Sequence, residues 1–347
     1  MKVASLFSGA GGLDLGFEKA GFRVVWANEY DRTIWDTYQK NFPDTELDTR
    51  SIAEIDASEI PDCDGVVGGP PCQSWSEAGA LRGIKDRRGQ LFLEYIRILE
   101  EVRPTFFLAE NVSGILFSRH STAVTRILQR FTDLGYNVSY GLLNANNYGV
   151  PQDRERVIIV GYHASMGKFF KPPRQDEHGP NLKDAIWDLR TSVVPAGLPN
   201  TQNRRSKVPN HEFMTGGFSP IFMSRNRVRG WDQPSFTIQA GARHAPIHPQ
   251  APPMRLVEKD VRIFEPGAEH LYRRLSVREC ARIQTFPDDH EFIYDNVANG
   301  YKMVGNAVPV EFARRIALTI AKDVRNFKPK RTKRTGEIRT FDELEGS

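Results

Sequence analysis

Cysteine is scarce in this chain: Cys63, Cys72 and Cys280 are the only three among 347 residues. An odd number at irregular spacing excludes a disulfide framework, offers no paired metal-ligand spacing and suits a reducing compartment. Histidine adds no metal site either. His244 and His248 stand four apart, but Pro246 and Pro249 forbid a helix between them, so no metal is expected. No apolar run approaches the ~20 residues of a membrane span. The opening Met1-Lys2-Val3-Ala4-Ser5-Leu6-Phe7 enters a strand-like pattern at once, so neither a membrane partner nor a signal peptide is expected, and a cytoplasmic protein is. Internal repeats are absent. The net charge of +4 is modest, but it is unevenly placed. Arg204, Arg205, Lys207, Arg225, Arg227 and Arg229 stand against the single acid Glu212 in one stretch, and Arg325 to Arg339 is basic too. Local concentrations of this kind point to a polyanionic partner.

The apolar pattern of the first half alternates strand and helix. Strands are expected at Val3–Phe7, Arg23–Ala27, Val66–Val67, Thr105–Ala109 and Val157–Val160. Helices are expected after Gly12, over Thr33–Lys40, through Leu91–Leu99 and over Val124–Leu134. That order implies right-handed crossovers and an α/β fold with a mostly parallel, doubly wound sheet. Near Lys168 the pattern changes. Residues 168–269 are rich in Pro, Gly, Asn and Arg, yet Trp187, Phe213, Phe222, Trp231 and Phe236 anchor them, so a second, smaller and irregular domain is expected there. Residues 1–167 and 270–327 would together make the first domain. A capping-box pattern at Ser276–Glu279 opens a helix on the return, and residues 328–347 read as a frayed, charged tail.

The most informative feature is Gly68-Gly69-Pro70-Pro71-Cys72-Gln73-Ser74-Trp75-Ser76. Two prolines fix φ and push their predecessors toward extended geometry, so Cys72 is presented on a stiffened turn where a short strand runs out. A cysteine that only fills a core needs no such mounting. A second feature is the glycine loop Phe7-Ser8-Gly9-Ala10-Gly11-Gly12-Leu13-Asp14 between strand and helix. Such a loop brings a ligand to a helix N-terminus, and Glu29, closing the second strand, is placed to accept from ribose hydroxyls. The dinucleotide fingerprint wants a third glycine where Asp14 stands. A nicotinamide cofactor, and with it a dehydrogenase, is therefore disfavoured; a nucleoside cofactor without a pyrophosphate fits better.

These segments and others, in this order, resemble the cytosine-5 DNA methyltransferases. The blocks are Ser5–Gly12, Gly69–Gln73, Glu110-Asn111-Val112, Gln152-Asp153-Arg154-Glu155-Arg156, Arg278–Gln284 and Gly305-Asn306-Ala307-Val308-Pro309, with a variable region between the fourth and fifth. The resemblance covers nearly the whole length. It implies an S-adenosylmethionine-dependent methyltransferase sheet, a DNA-recognition domain, and methyl transfer to C5 of cytosine through a Cys72 adduct at C6. In this reading Glu110 engages N3 and the exocyclic amine, and Arg156 holds O2 and steadies the glutamate. Arg154 is the backbone or structural contact of the pair. The cofactor would meet Phe7, Gly9, Gly11, Gly12, Glu29, Tyr30, Pro70, Asn306 and Val308. Where the family commonly has an acid-Ile pair for the adenine amine, this chain has Ser51-Ile52. No metal enters.

The segment 73–90, with Gly79, Gly83 and Gly89 among Arg82, Lys85, Arg87 and Arg88, has the makings of a loop closing over a flipped base, with Gln73, Ser76 and Arg87 on the DNA. In an extended backbone Arg225, Arg227 and Arg229 would project on one side, a row suited to guanine O6 and N7. The surrounding region, with Arg243, resembles that of bacterial enzymes that methylate GGCC. A monomer acting on double-stranded DNA is expected. It would pair functionally with a restriction endonuclease without stable contact, although an orphan role stays open. An RNA cytosine-5 methyltransferase would share the core blocks but not the recognition region. A DNA-binding protein without catalysis would lack the cysteine or the glutamate.

Overall fold

The computed structural model describes residues 1–71, 89–203, 205–325, 327 and 335–346. Its first half is an alternation of β1 (Lys2–Leu6), α1 (Gly12–Lys19), β2 (Arg23–Asn28), α2 (Trp35–Asn41), β3 (Glu46–Asp48) and β4 (Gly65–Gly68). It continues with α3 (Gly89–Val102), β5 (Phe106–Val112), α4 (Ser121–Asp133), β6 (Tyr136–Asn144) and β7 (Glu155–His163). The second half holds α5 (Leu182–Ile186), β8 (Val194–Pro195), β9 (Glu212–Phe213), α6 (Pro220–Met223), β10 (Arg255–Glu258) and β11 (Val261–Ile263). It ends with α7 (Val277–Ile283), α8 (Val297–Asn306), α9 (Val310–Val324), β12 (Ile338–Thr340) and α10 (Phe341–Glu345).

One eight-stranded sheet runs β12-β6-β7-β5-β4-β1-β2-β3. The strands are parallel except β7, which is antiparallel to both β5 and β6. The order reverses between β1 and β4, the topological switch point at which open α/β sheets bind ligands beyond their strand C-termini. Because β7 runs backwards, its beginning lies at that same edge, with Arg156 in register with Val112 at the end of β5. The mostly parallel sheet read from the sequence is therefore present, with one reversal that serves the site.

Apolar faces bury the sheet on both sides. One core joins β1, β4, β5 and β7 to α3 and α4 through Phe92, Tyr95, Phe107 and Phe131. The other joins Val3, Phe17 and Phe106 to α9 through Phe312, Ile316 and Ile320. Helix α9 sits so close to α1 that a Cβ at Gly16 would lie 2.4 Å from that of Ala313. Packing does not divide at residue 269: α7 and α8 share a third core with Leu182, Ile186 and Ile238 from the irregular stretch.

The tail departs from expectation. Residues 338–345 are not frayed: β12 adds parallel to the β6 edge, and Phe341 packs where a Cβ at Gly141 would lie 2.4 Å from its ring. The expected row of extended arginines differs as well. Helix α6 occupies Pro220–Met223, Arg225 sits at a bend, and only Val228 bridges, to Ile247.

Candidate active site

Four chain segments converge at the sheet edge. The end of β4 delivers Gly69 and the buried Pro70, and the described chain reaches Pro71, one residue short of Cys72. Gly68 is needed here because a Cβ would lie 2.4 Å from the Leu6 carbonyl oxygen. Asn111 at the end of β5 donates from Nδ2 to the Pro70 carbonyl at 3.1 Å, a clasp that fixes the proline mount against the neighbouring strand. Cys72, Gln73, Ser76 and Arg87 lie outside the described residues, as does the expected closing loop up to residue 88, whereas Gly89 and Gln90, counted in that loop, open α3.

Glu110, beside that clasp, is nearly buried, and its Oε1 lies 2.8 Å from Arg156 Nε. The two come from diagonal positions of the β5–β7 pair, within reach of long side chains. Gly69 faces the same carboxylate: a Cβ there would come within 3.3 Å of Glu110 Oε2. A carboxyl group held by a guanidinium, next to a glycine that leaves it room, can hydrogen-bond a flat polar ring.

Arg154 does not join them. It is fully buried and donates to the carbonyls of Ile238, Gly305 and Ala307, each at 3.0 Å; burial holds its guanidinium well below the usual arginine range. Beside it Gln152 accepts from the Ile238 N–H and donates to Gln284, which donates on to the Val304 and Ala307 carbonyls. This buried lattice ties the start of β7 to the irregular stretch and to the end of α8. Gln152 and Gln284 stand within motifs, but nothing in a single sequence marks a glutamine as buried.

At the neighbouring strand ends lies a cradle. Phe7, Gly9 and Gly11 all have positive φ, at 57°, 55° and 79°. The glycines divide the work. A Cβ at Gly9 would meet nothing within 4 Å, so this glycine faces open space. Gly11 and Gly12 are packing positions, because a Cβ would lie 2.1 Å from the Phe42 ring or 2.3 Å from the Val308 carbonyl oxygen. The side-chain direction is thus open at Gly9 and filled by Phe42 at Gly11. Glu29 accepts from Gly9 N at 2.9 Å and Asp31 N at 2.7 Å, and burial raises its pKa. Ser8 Oγ is buried without a hydrogen-bond partner among the described residues. Tyr30 is 71% exposed. Ser51 heads the 3-10 turn Ile52–Glu54, and Ile52 is buried beneath. Asn306 is exposed at the end of α8, and the Lys302–Asp31 ion pair binds that helix to the cradle. An open glycine, an acceptor pair on Glu29 and an orphaned hydroxyl fit a nucleoside ligand.

The candidate readers separate into two kinds. Arg225 and Arg243 are exposed and make no hydrogen bond or ion pair among the described residues. Arg227 folds back on its own segment, donating to the Phe222 and Ile221 carbonyls at 2.9 and 3.2 Å with its guanidinium 4.9 Å over the Phe222 ring. Arg229 pairs with Asp153 at 3.2 Å and lies over Phe236. The free row expected from alternation is therefore replaced by one free arginine and two engaged ones, because Phe222 and Asp153 offer closer partners.

A switch-point cradle that fits a nucleoside, beside a carboxylate–arginine pair and the proline mount that ends one residue before Cys72, is consistent with a methyltransferase acting on a planar base. The comparisons agree. Residues 1–322 match the model of the C-5 cytosine-specific DNA methylases. The type II methyltransferase M.FnuDI of Fusobacterium nucleatum is 54% identical over 99% of this chain and 100% of its own length. M.NgoPII of Neisseria gonorrhoeae is 53% identical over 93% and 96%. Among solved structures, the Entamoeba histolytica methyltransferase EhMeth superposes with a TM-score of 0.68 at 18% identity, covering 95% of this chain and 99% of its own. A Spodoptera frugiperda DNMT2 mutant superposes with a TM-score of 0.65 at 18% identity, covering 94% and 99%. The two structures speak for the fold.

The chain belongs to the C-5 cytosine-specific DNA methylase family. It is a DNA cytosine-5 methyltransferase, and the family's methyl donor is S-adenosylmethionine. Among the described residues no group of three or more His, Cys, Asp or Glu is placed to hold a metal ion, and no helix is long and apolar enough to cross a membrane.

Proposed function

We propose that this enzyme methylates the inner cytosine of GGCC in duplex DNA, flipping it out and attacking it with Cys72. The observation that carries the reading is the Glu110–Arg156 pair, set beside the clasped Pro70-Pro71 mount that leads into Cys72. The other cysteines support the choice: burial pushes the Cys63 thiol up to about 12 and raises that of Cys280 well above its ordinary value, so neither supplies a thiolate near neutral pH.

Carbon 5 of cytosine is a poor nucleophile. The Cys72 thiolate adds its electron pair to C6, while Glu110 hydrogen-bonds N3 and the exocyclic amine and Arg156 holds O2. The electron density reaching C5 would then take the methyl group as its bond to the sulfonium sulfur breaks and the neutral thioether leaves with that electron pair. Loss of the C5 proton and expulsion of the thiolate then restore the aromatic ring and the free enzyme. S-adenosylmethionine supplies the methyl group on its sulfonium. Phe7, Gly9 and the Glu29 carboxylate would hold its nucleoside, with Tyr30, Ser51 and Ile52 at the adenine and Pro70, Asn306 and Val308 around the remainder. Flipping costs a few kcal/mol, and contacts from Gln73, Ser76 and Arg87 to the DNA would offset it. The enzyme works as a cytoplasmic monomer, paired in function with a restriction endonuclease.

Arg225 and Arg243, being free, are the primary guanine readers. Arg225→Ala should cost about 1–3 kcal/mol of discrimination at one base pair, relaxing preference there. Arg87→Ala should weaken cognate and altered duplexes alike and reduce the salt slope by about one. Binding of cognate and singly altered duplexes across a salt series checks both; uniform losses for Arg225→Ala and Arg243→Ala would move the reading element elsewhere. The sequence methylated is tested by bisulfite sequencing of plasmid DNA from cells expressing the chain. Protection confined to the inner cytosine of GGCC is expected, and protection in another context would overturn the specificity.

A further inference from the structure

Asp14 is fully buried in the first turn of α1, two residues after Gly12 at the end of the glycine loop. Its Oδ1 accepts from Ser5 Oγ on β1 and its Oδ2 from Tyr38 OH on α2, both at 2.6 Å. Tyr38 stacks on Phe42 at 4.6 Å, and Phe42 is the ring that fits against Gly11. The carboxylate thus sits behind the glycine loop, joining α1 to β1 and α2. A neutral side chain would serve as a spacer; a buried anion needs a reason.

The cofactor supplies one. S-adenosylmethionine carries a sulfonium, and the product left after methyl transfer is the uncharged thioether, identical in every other group. We propose that Asp14, held ionised by Ser5 and Tyr38 beneath the glycine loop, makes the pocket prefer the cationic methyl donor over its neutral product. This rests on the reading of the loop and Glu29 as the cofactor site. A unit charge that acts on a cation through partly buried protein is worth on the order of ten-fold in affinity. The positive end of α1 and the two hydroxyl donors favour the anion, while burial opposes it.

Burial raises the Asp14 pKa to about 6, against the hydroxyl donors that lower it. Other charged groups around it come from each packed element. Glu18 on α1 and Glu29 at the end of β2 act on it as like charges. Lys302 pairs with Asp31. On α9, Glu311, Arg314 and Arg315 satisfy one another and Asp176. His290, beside Phe42, is kept neutral by burial, its pKa pushed down to about 4. Preference for the donor should therefore fall as pH drops through about 6.

The test is calorimetric titration of the full chain, without DNA, with S-adenosylmethionine and with S-adenosylhomocysteine between pH 5 and 7. Repeating it in buffers of different ionisation enthalpy counts linked protons. The donor-to-product affinity ratio should rise on the order of ten-fold from pH 5 to pH 7, with protons released on binding the donor and few on binding the product. Asp14→Asn should hold the ratio at its acid value across the range. Tyr38→Phe, a milder change, removes one donor and should move the midpoint upward. A ratio flat with pH in the wild type would overturn the inference while leaving the cofactor site standing. So would a pH dependence that persists in Asp14→Asn, since it would belong to Glu29. Binding of neither compound at any pH would overturn the cofactor reading, and this inference with it.

Discussion

Replacing Cys72 with serine should reduce methyl transfer to background while leaving DNA binding largely intact. Even an unperturbed thiol is only a few per cent ionised at neutral pH, and an alcohol far less, so without a dedicated base serine offers C6 no anion. Neither remaining cysteine can substitute, because burial raises the thiols of Cys63 and Cys280. The measurement is transfer of labelled methyl groups to a GGCC duplex, beside a gel-shift titration of the same protein. Transfer by Cys72→Ser at near the wild-type rate would remove covalent catalysis from the account.

Glu110→Gln should slow the reaction by roughly 10²–10⁴-fold, the usual contribution of a positioned acid–base group, with little change in affinity for S-adenosylmethionine. The amide keeps the shape but loses the negative charge that pairs with Arg156 at 2.8 Å, so both the base contact and the arginine's aim suffer. Glu29→Ala should do the opposite. It removes the acceptor of the Gly9 and Asp31 N–H groups and weakens the cofactor far more than it slows turnover of the saturated enzyme. Single-turnover rates at saturating cofactor, set beside cofactor affinities, separate the two carboxylates. If Glu110→Gln changed only cofactor affinity, the two assignments would have to be exchanged.

Most of the sheet was legible because its strands are apolar runs between turn signals. Strand β6 was not. Tyr136–Asn144 carries Asn137, Ser139 and Gly141, polar or small residues that take a strand because β7 pairs along its whole length. Strand β12 depends in turn on β6, so a short polar segment within a basic tail gave no local sign of it. Glu110 and Arg156 could be named from their motifs. Their contact depends on the reversal of β7, a tertiary fact that apolar spacing does not carry.

The resemblance already implies different roles for two neighbouring arginines. Arg154 and Arg156 stand two apart, yet one spends its guanidinium on three carbonyls and the other faces Glu110. Arg278, within another block, likewise donates to the Pro209, Pro287 and His290 carbonyls. Asp14 entered only as an absent glycine, since its burial and its two hydroxyl partners come from β1 and α2. The arginine row failed for a local reason: Phe222 is buried at the end of α6 and draws Arg227 onto its face.

The proposed reaction turns on a covalent bond between Cys72 and C6 of a cytosine in duplex DNA. A GGCC duplex with 5-fluorocytosine at the inner position tests it most directly, because fluorine cannot leave C5 as a proton does and the adduct cannot collapse. Incubated with S-adenosylmethionine and the wild-type chain, it should give a complex stable to denaturation, with the methylated nucleotide mapped by mass spectrometry to the peptide containing Cys72. No such complex from a protein that methylates the unmodified duplex, or an adduct on any other residue, would contradict the account.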